Sequence, residues 1–450
     1  MEILEFCVQK LQSSEIDKFE LYWEKSSHFS IEIKEGKLDH LSKANDQGLA
    51  IRVLKDQKLG FSYTFDLRPE AVTKAIALAV EVAALMPSDP LNDLCSVGEG
   101  KSGFSSVLYP SIESFDTKGL EQRLETKIEK VREFENHALQ KNSKIKRVRK
   151  AGYDESWGET IMVDSSGEQV RHQSSLFGYR ITCVAEHEGA AEMGSDAQYS
   201  NFLDQLQPDE VADYAARNAL QLLGAGQAPT MNCPVVLRND VVAELLGFLA
   251  GSFSAENIDK NFSLFAGKKG EKVFSDHLTI YDDALLAGGV ASSPFDGEGV
   301  PSQTTVLVDQ GLLTNFLYDS YYSRKHRTRT TASSRRGSLK SPPGVGPSNL
   351  YLAKGKTSPE KLHAEIKKGI LITDVMGLHT ANPITGEFSF GASGILIENG
   401  KLSRPVKGFA IAGNILDLLK QVSAVGSDLR FWGSVGAPSL LISKLAISGT

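Results

Sequence analysis

Apolar and polar residues alternate through KFELYWEK (18–25), HFSIEIKEGKL (28–38) and GLAIRVLKDQKLGFSYT (48–64). This is the period-two pattern of strands that bury one face. Gly, Asp and Asn bound each run, so the pattern predicts antiparallel hairpins. Ahead of them, Ile3, Phe6, Cys7 and Leu11 recur at helical spacing. Behind them Pro69 opens PEAVTKAIALAVEVAALM, an alanine-rich helix that must end before Pro87 and Pro90.

The same succession returns downstream. Leu120, Leu124, Ile128, Val131 and Phe134 make one helical stripe. Strand-like KIKRVRKAGYDE, ETIMVDSSGEQVRHQSS and SSLFGYRITCVAE follow, and PDEVADYAARNALQLLGAG closes the unit as a helix with Pro208 near its start and Gly224 near its end. The repeated order suggests two similar α+β layers, although no sequence identity joins them. From Asn232 onward the chain is Gly-dense with short β-rich segments, and hairpins are expected at Asp309-Gln310-Gly311 and Asn399-Gly400. One helix is predicted in SPEKLHAEIKKG, capped by Ser358 and stopped by Gly369. The pattern divides the chain into an N-terminal α+β domain (1–95), a Ser/Pro/Gly-rich linker (96–118), a central α+β domain (119–230) and a C-terminal β-rich domain (231–450). The predicted fold class is α+β: mixed or antiparallel sheets with packed helices, then a barrel-like domain.

Composition narrows the function classes. With 41 % hydrophobic and 23 % charged residues the chain reads as an ordinary globular protein, and a net charge of −7 argues against a surface built to hold phosphates. The start MEILEFCVQKLQSS lacks the charge and apolar run of a secretory signal, and no apolar run reaches bilayer length, so a cytoplasmic protein without membrane spans is expected. Cys7, Cys95, Cys183 and Cys233 are scattered, which suggests reduced thiols and no four-thiolate zinc site.

The candidate chemistry is thin. HEGAAEMGSD (187–196) opens like a zinc-protease motif, but His187 and Glu188 end a strand-like run and have no second His one turn on. RKHRTRTTASSRRGSLK (324–340) holds seven Lys or Arg and no acid, and its Ser, Thr and Gly content predicts a flexible loop. Such a loop suits an acidic peptide or partner surface better than nucleic acid in an acidic chain. Asp282, Asp283, Asp296 and Glu298 could bind a divalent ion, though D-G-E-G is also turn chemistry. The glycines of ANPITGEFSFGASG permit close approach by a peptide strand.

Taken in order, SLFAGKKGEKV, LTIYDD, SSPFDGEGVPSQTTVLVDQGLLTNFLYDSYYSRK, NPITGEFSFGASGILIENGKL and GFAIAGNILDLL resemble the TldD/PmbA family, the modulators of DNA gyrase or peptidase U62-like proteins. GLAIRV and LGFSYT extend the likeness into the N-terminal part. The resemblance implies an intracellular pair of related subunits that mature peptides or degrade unfolded ones. One subunit, TldD, binds zinc through an H-E-x-x-x-H helix and a C-terminal cysteine. The other, TldE or PmbA, has the same fold without those ligands. In this sequence the metal helix falls on DVVAELLGFLAGSFSAEN (240–257), with Asp240 as the expected cap. Around Leu246 and Gly251, where imidazoles would stand, there is no histidine, and VSAVGSDLRFWGSVGAPSLL has no cysteine. Glu244 remains on the helix.

The resemblance therefore implies a PmbA/TldE-type chain that binds no cofactor itself, pairs with a TldD-type zinc subunit, handles unfolded peptide, and forms a homodimer when isolated. Candidate substrate or partner contacts are Arg324, Arg327, Arg335 and Arg336 in the basic segment and Asn382, Thr385, Gly386 and Ser389 in the Gly-rich one. Two alternatives stay open: an autonomous metallopeptidase using ligands such as His277, Asp282 or Glu298, and a gyrase-binding protein acting through the basic loop.

Overall fold

The computed structural model describes residues 2–96 and 109–449. Most of the expected linker, residues 97–108, lies outside the described residues. Strand dominates helix, 42 % against 24 %, in a mixed α+β molecule.

The first two α+β units share one sheet. Strands β1 (Lys18–Lys34), β2 (Lys37–Lys55), β3 (Lys58–Thr64), β4 (Ile145–Asp164), β5 (Gln169–His187) and β6 (Ala190–Ser200) line up as β3-β2-β1-β4-β5-β6. The central pair, β1 with β4, is antiparallel and runs from Glu20↔Asp164 to Ile33↔Ala151. Strands this long cannot stay flat under the native twist, and the sheet curls into a half-barrel. The separate runs 18–25 and 28–38 are thus parts of β1 and its hairpin, because the alternation never breaks at Ser26-Ser27.

Helices α1 (Glu2–Gln12), α2 (Pro69–Leu85), the single turn α3 (Thr117–Leu120), α4 (Leu124–Gln140) and α5 (Pro208–Gln221) follow the predicted order. On α2, Val72, Ala75, Ile76, Ala79 and Ala83 are buried, a stripe in steps of three and four. Burying Val72 and Ile76 stabilises by roughly 1.5–3 kcal/mol each. Both ends of β1 serve this helical layer through odd-numbered residues: Phe19 and Leu21 pack with α1 and α2, whereas Ile31 and Ile33 pack with Phe134 of α4. The two layers anticipated from the repeated pattern therefore cover one face of one sheet, disposed about the β1–β4 pair.

The opposite face meets the C-terminal part. Tyr22, Ala50, Met162 and Val170 pack with Phe295 and Leu339. Beyond them Arg52 pairs with Glu20 at 2.6 Å and lies 3.7 Å from Glu298, and Arg336 also pairs with Glu20.

After the short β7 (Gly226–Gln227), β8 (Met231–Leu237) enters a closed five-stranded barrel with 368–376, 387–398, 401–414 and 440–448. Closure is made by Ala410↔Ser448 and Ile411↔Ile447. A second sheet combines 280–283, 304–309, 312–313, 350–352, 430–432 and 435–437. Gln310 (φ 47) with Gly311 (φ 81) and Asn399 (φ 49) with Gly400 (φ 78) turn the two expected hairpins.

The predicted 358–369 helix is reduced to Pro359–His363, and Ser358 makes no side-chain cap. Gly369 is a strand residue, where a Cβ would lie 2.5 Å from the Pro234 carbonyl, so its role is close approach to β8 and not helix termination. No helix among the described residues is long and apolar enough to cross a membrane.

Candidate functional site

Helix α6 (Asn239–Leu249) leaves β8 and presses Val241, Val242, Leu245, Leu246 and Leu249 into the C-terminal core. It starts two residues earlier than expected, with Arg238 at the cap position and Asp240 already inside. The same helix brings the buried Ala243 and the exposed Glu244 to a cleft of about 550 Å³ between the C-terminal domain and the half-barrel sheet. The facing wall is Lys150, Arg180, Thr182, Ser195, Asp196 and Tyr199.

Trp432 and Val435 complete the cleft beside α6. The two segments that carry zinc ligands in the resemblance, the 240–257 segment and the 422–441 stretch, therefore meet in space. What they bring together is carboxylate, guanidinium and indole. Neither segment supplies the imidazole or thiolate that zinc takes, and among the described residues no three His, Cys, Asp or Glu side chains group to hold a metal. A zinc site of the family type does not fit these residues.

Glu244 opens onto the cleft. Its side chain is exposed at the cleft mouth, where partial loss of water and the negative charge of Asp240 and Asp374 push its carboxyl up to about 7 against the counter-effect of Arg238. Arg238 donates to Asp240 (2.7 Å), to Asn218 Oδ1 (2.9 Å) and to the Thr373 carbonyl (2.7 Å). Across the cleft Arg430 donates to Asp196 at 2.5 Å and stacks 4.5 Å from the Tyr214 ring and 5.0 Å from Trp432. Burial pushes Asp196 up despite that arginine. A carboxyl that titrates near neutrality can bind cations or exchange protons, but hydrolysis of an amide also needs a group that stabilises the oxyanion. Arg238 and Arg430 are both spent on carboxylates.

None of the eight residues singled out from sequence lines this cleft. The basic segment is folded, not free. Arg324 ends a short helix (Ser320–Lys325) and donates to the carbonyls of Leu91 and Asp93 at 2.8 and 3.3 Å. Arg335 donates to the Pro347 carbonyl at 3.1 Å, and Arg336 donates to the Gly297 carbonyl at 2.8 Å and stacks 4.3 Å from the Tyr22 ring. Composition suggested a loose loop, but Glu20 and the carbonyls of the domain junction draw these arginines inward. Arg327 alone of the four is exposed, at φ 52.

Asn382, Thr385 and Gly386 form one turn, exposed at Asn382 and Thr385 and buried at Gly386, in which Asn382 Oδ1 accepts from the Ile384 and Thr385 N–H groups at 2.9 and 3.1 Å. Gly386 is at φ 79, and Ser389 follows on the strand paired with Ala412. His187 ends β5, and Glu188 (φ 49) with Gly189 (φ 79) makes the hairpin to β6, so HEGAAEMGSD is a turn and strand whose last residue, Asp196, reaches the cleft. Of the alternative ligands, His277 is exposed, Asp282 accepts from Ser348 N–H at 2.6 Å, and Glu298 accepts from Ser320 N–H and Oγ at 3.0 and 2.8 Å. Sequence reasoning reached α6 but missed Lys150, Arg180, Asp196, Tyr214 and Arg430. Lys150 on β4 and Arg180 on β5 belong to the second sheet face, but the strand pattern does not say what that face meets, and Asp196 on β6, Tyr214 on α5 and Arg430 on the 430–432 strand come from other elements.

Three family models match the chain: PmbA/TldA metallopeptidase domain 1 at residues 19–83, the central domain at 118–223 and the C-terminal domain at 230–449. Metalloprotease PmbA of Escherichia coli O157:H7 is 26 % identical, covering 98 % of this chain and 94 % of that protein. A metalloprotease TldD homolog of Buchnera aphidicola (subsp. Schizaphis graminum) is 25 % identical, covering 99 % and 95 %. Among solved structures, a candidate modulator of a DNA gyrase from Thermotoga maritima MSB8 superposes with a TM-score of 0.90 at 28 % identity, covering 99 % of both chains. TldE from Thermococcus kodakarensis shares the fold with a TM-score of 0.88 at 23 % identity, covering 99 % of this chain and 100 % of that one.

Proposed function

Because this chain belongs to the PmbA/TldD metallopeptidase family, we propose that it is the PmbA/TldE-type subunit of a cytoplasmic TldD/TldE-type peptidase, contributing fold and peptide passage while a TldD-type partner contributes zinc. One observation carries this reading: α6 and the 430–437 segment meet at a cleft with no imidazole or thiolate between them. Three ligand positions expected from the resemblance are replaced, and the fold around them is kept. Without a metal-bound water held by its own side chains, the chain does not hydrolyse peptides alone. The half-barrel and the cleft suit an extended, unfolded peptide lying along the sheet. Alone, the chain pairs with a second copy, as related subunits of one fold do about a two-fold axis.

The test mixes purified chain with a TldD-type subunit. Proteolysis of an unfolded substrate that neither subunit performs alone, abolished by chelation, is the expected result. An inert mixture with no complex on size-exclusion chromatography overturns the proposal, and so does chelator-sensitive proteolysis by this chain alone.

A further inference from the structure

Strand β2 changes character at Gly48. From Gly48 to Leu54 it is buried, but from Lys37 to Gln47 every residue is exposed. The ladder explains the change. β1 pairs with the whole of β2, from Lys18↔Leu54 to Lys34↔Lys37, whereas β3 joins only between Leu49↔Thr64 and Lys55↔Lys58. Along 37–47 the outer edge therefore has no backbone partner among the described residues. A row of open N–H and C=O groups at a sheet edge is a template for another strand. The face that the helices cover is unfinished at the same place. The register sets Leu41 beside Ile31 and Leu38 beside Ile33, and both isoleucines are fully buried in the core that contains Phe134 of α4. Leu38 and Leu41 continue that apolar row by one strand and stay 43 % and 40 % exposed.

The charges of this arm select its occupant. Lys37, Asp39, Lys43 and Asp46 alternate in sign, and none of the four has an ion pair with a described residue. In antiparallel order the series plus, minus, plus, minus meets itself as minus, plus, minus, plus. Lys37 then falls near Asp46 of the second copy and Asp39 near its Lys43, each contact made twice about a two-fold axis. A strand of one sign, or the same strand laid parallel, sets like charges together. None of these residues lines the cleft beside α6, so the arm is a surface separate from the peptide passage.

We propose that the isolated chain dimerises through this edge: residues 37–47 of two copies pair antiparallel about a two-fold axis, join the two half-barrel sheets into one, and cover Leu38 and Leu41. The assignment rests on the pairing of the isolated chain with a second copy and names the surface that makes it.

Sedimentation velocity of the purified full chain at low salt measures the dimer dissociation constant of the wild type and of two variants. Lys37→Glu/Lys43→Glu makes the arm acidic throughout and weakens the dimer about tenfold or more, because like charges then face each other. Lys37→Asp/Asp39→Lys/Lys43→Asp/Asp46→Lys reverses every sign, keeps the alternation and returns the affinity to within about threefold of the wild type. A short bis-maleimide links Leu41→Cys, near the middle of the arm, into a covalent dimer and does not link the control Leu85→Cys at the exposed end of α2. A monomeric wild type, a dimer indifferent to both charge variants, a sign-reversed variant as weak as the acidic one, or no linking at Leu41→Cys overturns the proposal. The experiment contains no TldD-type subunit, so its failure leaves the reconstitution of proteolysis standing, and an inert reconstitution leaves this interface standing.

Discussion

Glu244 shows how a single side chain acquires chemistry from its surroundings. Its pKa is raised from 4.5 to about 7 by partial desolvation at the cleft mouth and by Asp240 and Asp374. Between those values the folded chain holds a proton that the unfolded chain releases, so this group's contribution to stability falls as pH rises through that window. Glu244→Gln removes the penalty: the variant melts above the wild type at pH 8, and the difference vanishes below about pH 4.5, as thermal denaturation at both pH values will show. Arg336 illustrates the reverse case. Burial works against the Glu20 carboxylate, but Arg52 and Arg336 override it and hold Glu20 below its ordinary range. Arg336→Met keeps most of the volume over Tyr22 and leaves Glu20 with Arg52 alone. The expected loss is about 3 kcal/mol, read as a lower urea midpoint.

At the scale of elements, alanine faces and glycine strands are matched. Gly60 of β3 lies under α2, where a Cβ would fall 1.9 Å from the Ala79 carbonyl, and Gly194 of β6 lies under α5, where it would fall 2.2 Å from the Ala219 nitrogen. The two units thus use the same device: a small-residue helix face lets an edge strand come close. Gly194→Ala forces β6 and α5 apart and costs about 1–3 kcal/mol or more. Gly247 of α6 is the contrast, since a Cβ there meets nothing within 4 Å. Gly247→Ala lowers the entropy of the unfolded chain inside a helix and stabilises by about 0.5–1 kcal/mol. Chemical denaturation of the two variants therefore shows shifts of opposite sign. The alternation through β1 and the proline-led starts of α2 and α5 made these elements readable, because period and cap chemistry are local. The helix expected at 358–369 failed because Ile366 is buried and Gly369 must approach Pro234, which are demands of the barrel.

In the whole molecule, one sheet binds the first two units together and its two faces do different work. The odd face of β1 holds the helices, while the other face docks on the C-terminal domain at Tyr22 and Arg52 and opens at Lys150 and Arg180 as the cleft. The α+β class, the order of the main elements, the family resemblance and the absence of histidine from 240–257 are readable from the residues alone, since each is written in local pattern or residue identity. The three-dimensional fold was needed to show that the basic segment is folded into the domain junction, that Asp196 at the end of HEGAAEMGSD lines the same cleft as Glu244, and that Arg430 stands nearby. Those residues are separated by tens to hundreds of positions along the chain. Their charges act through distance in space and shared desolvation, and neither quantity is recorded in the order of residues.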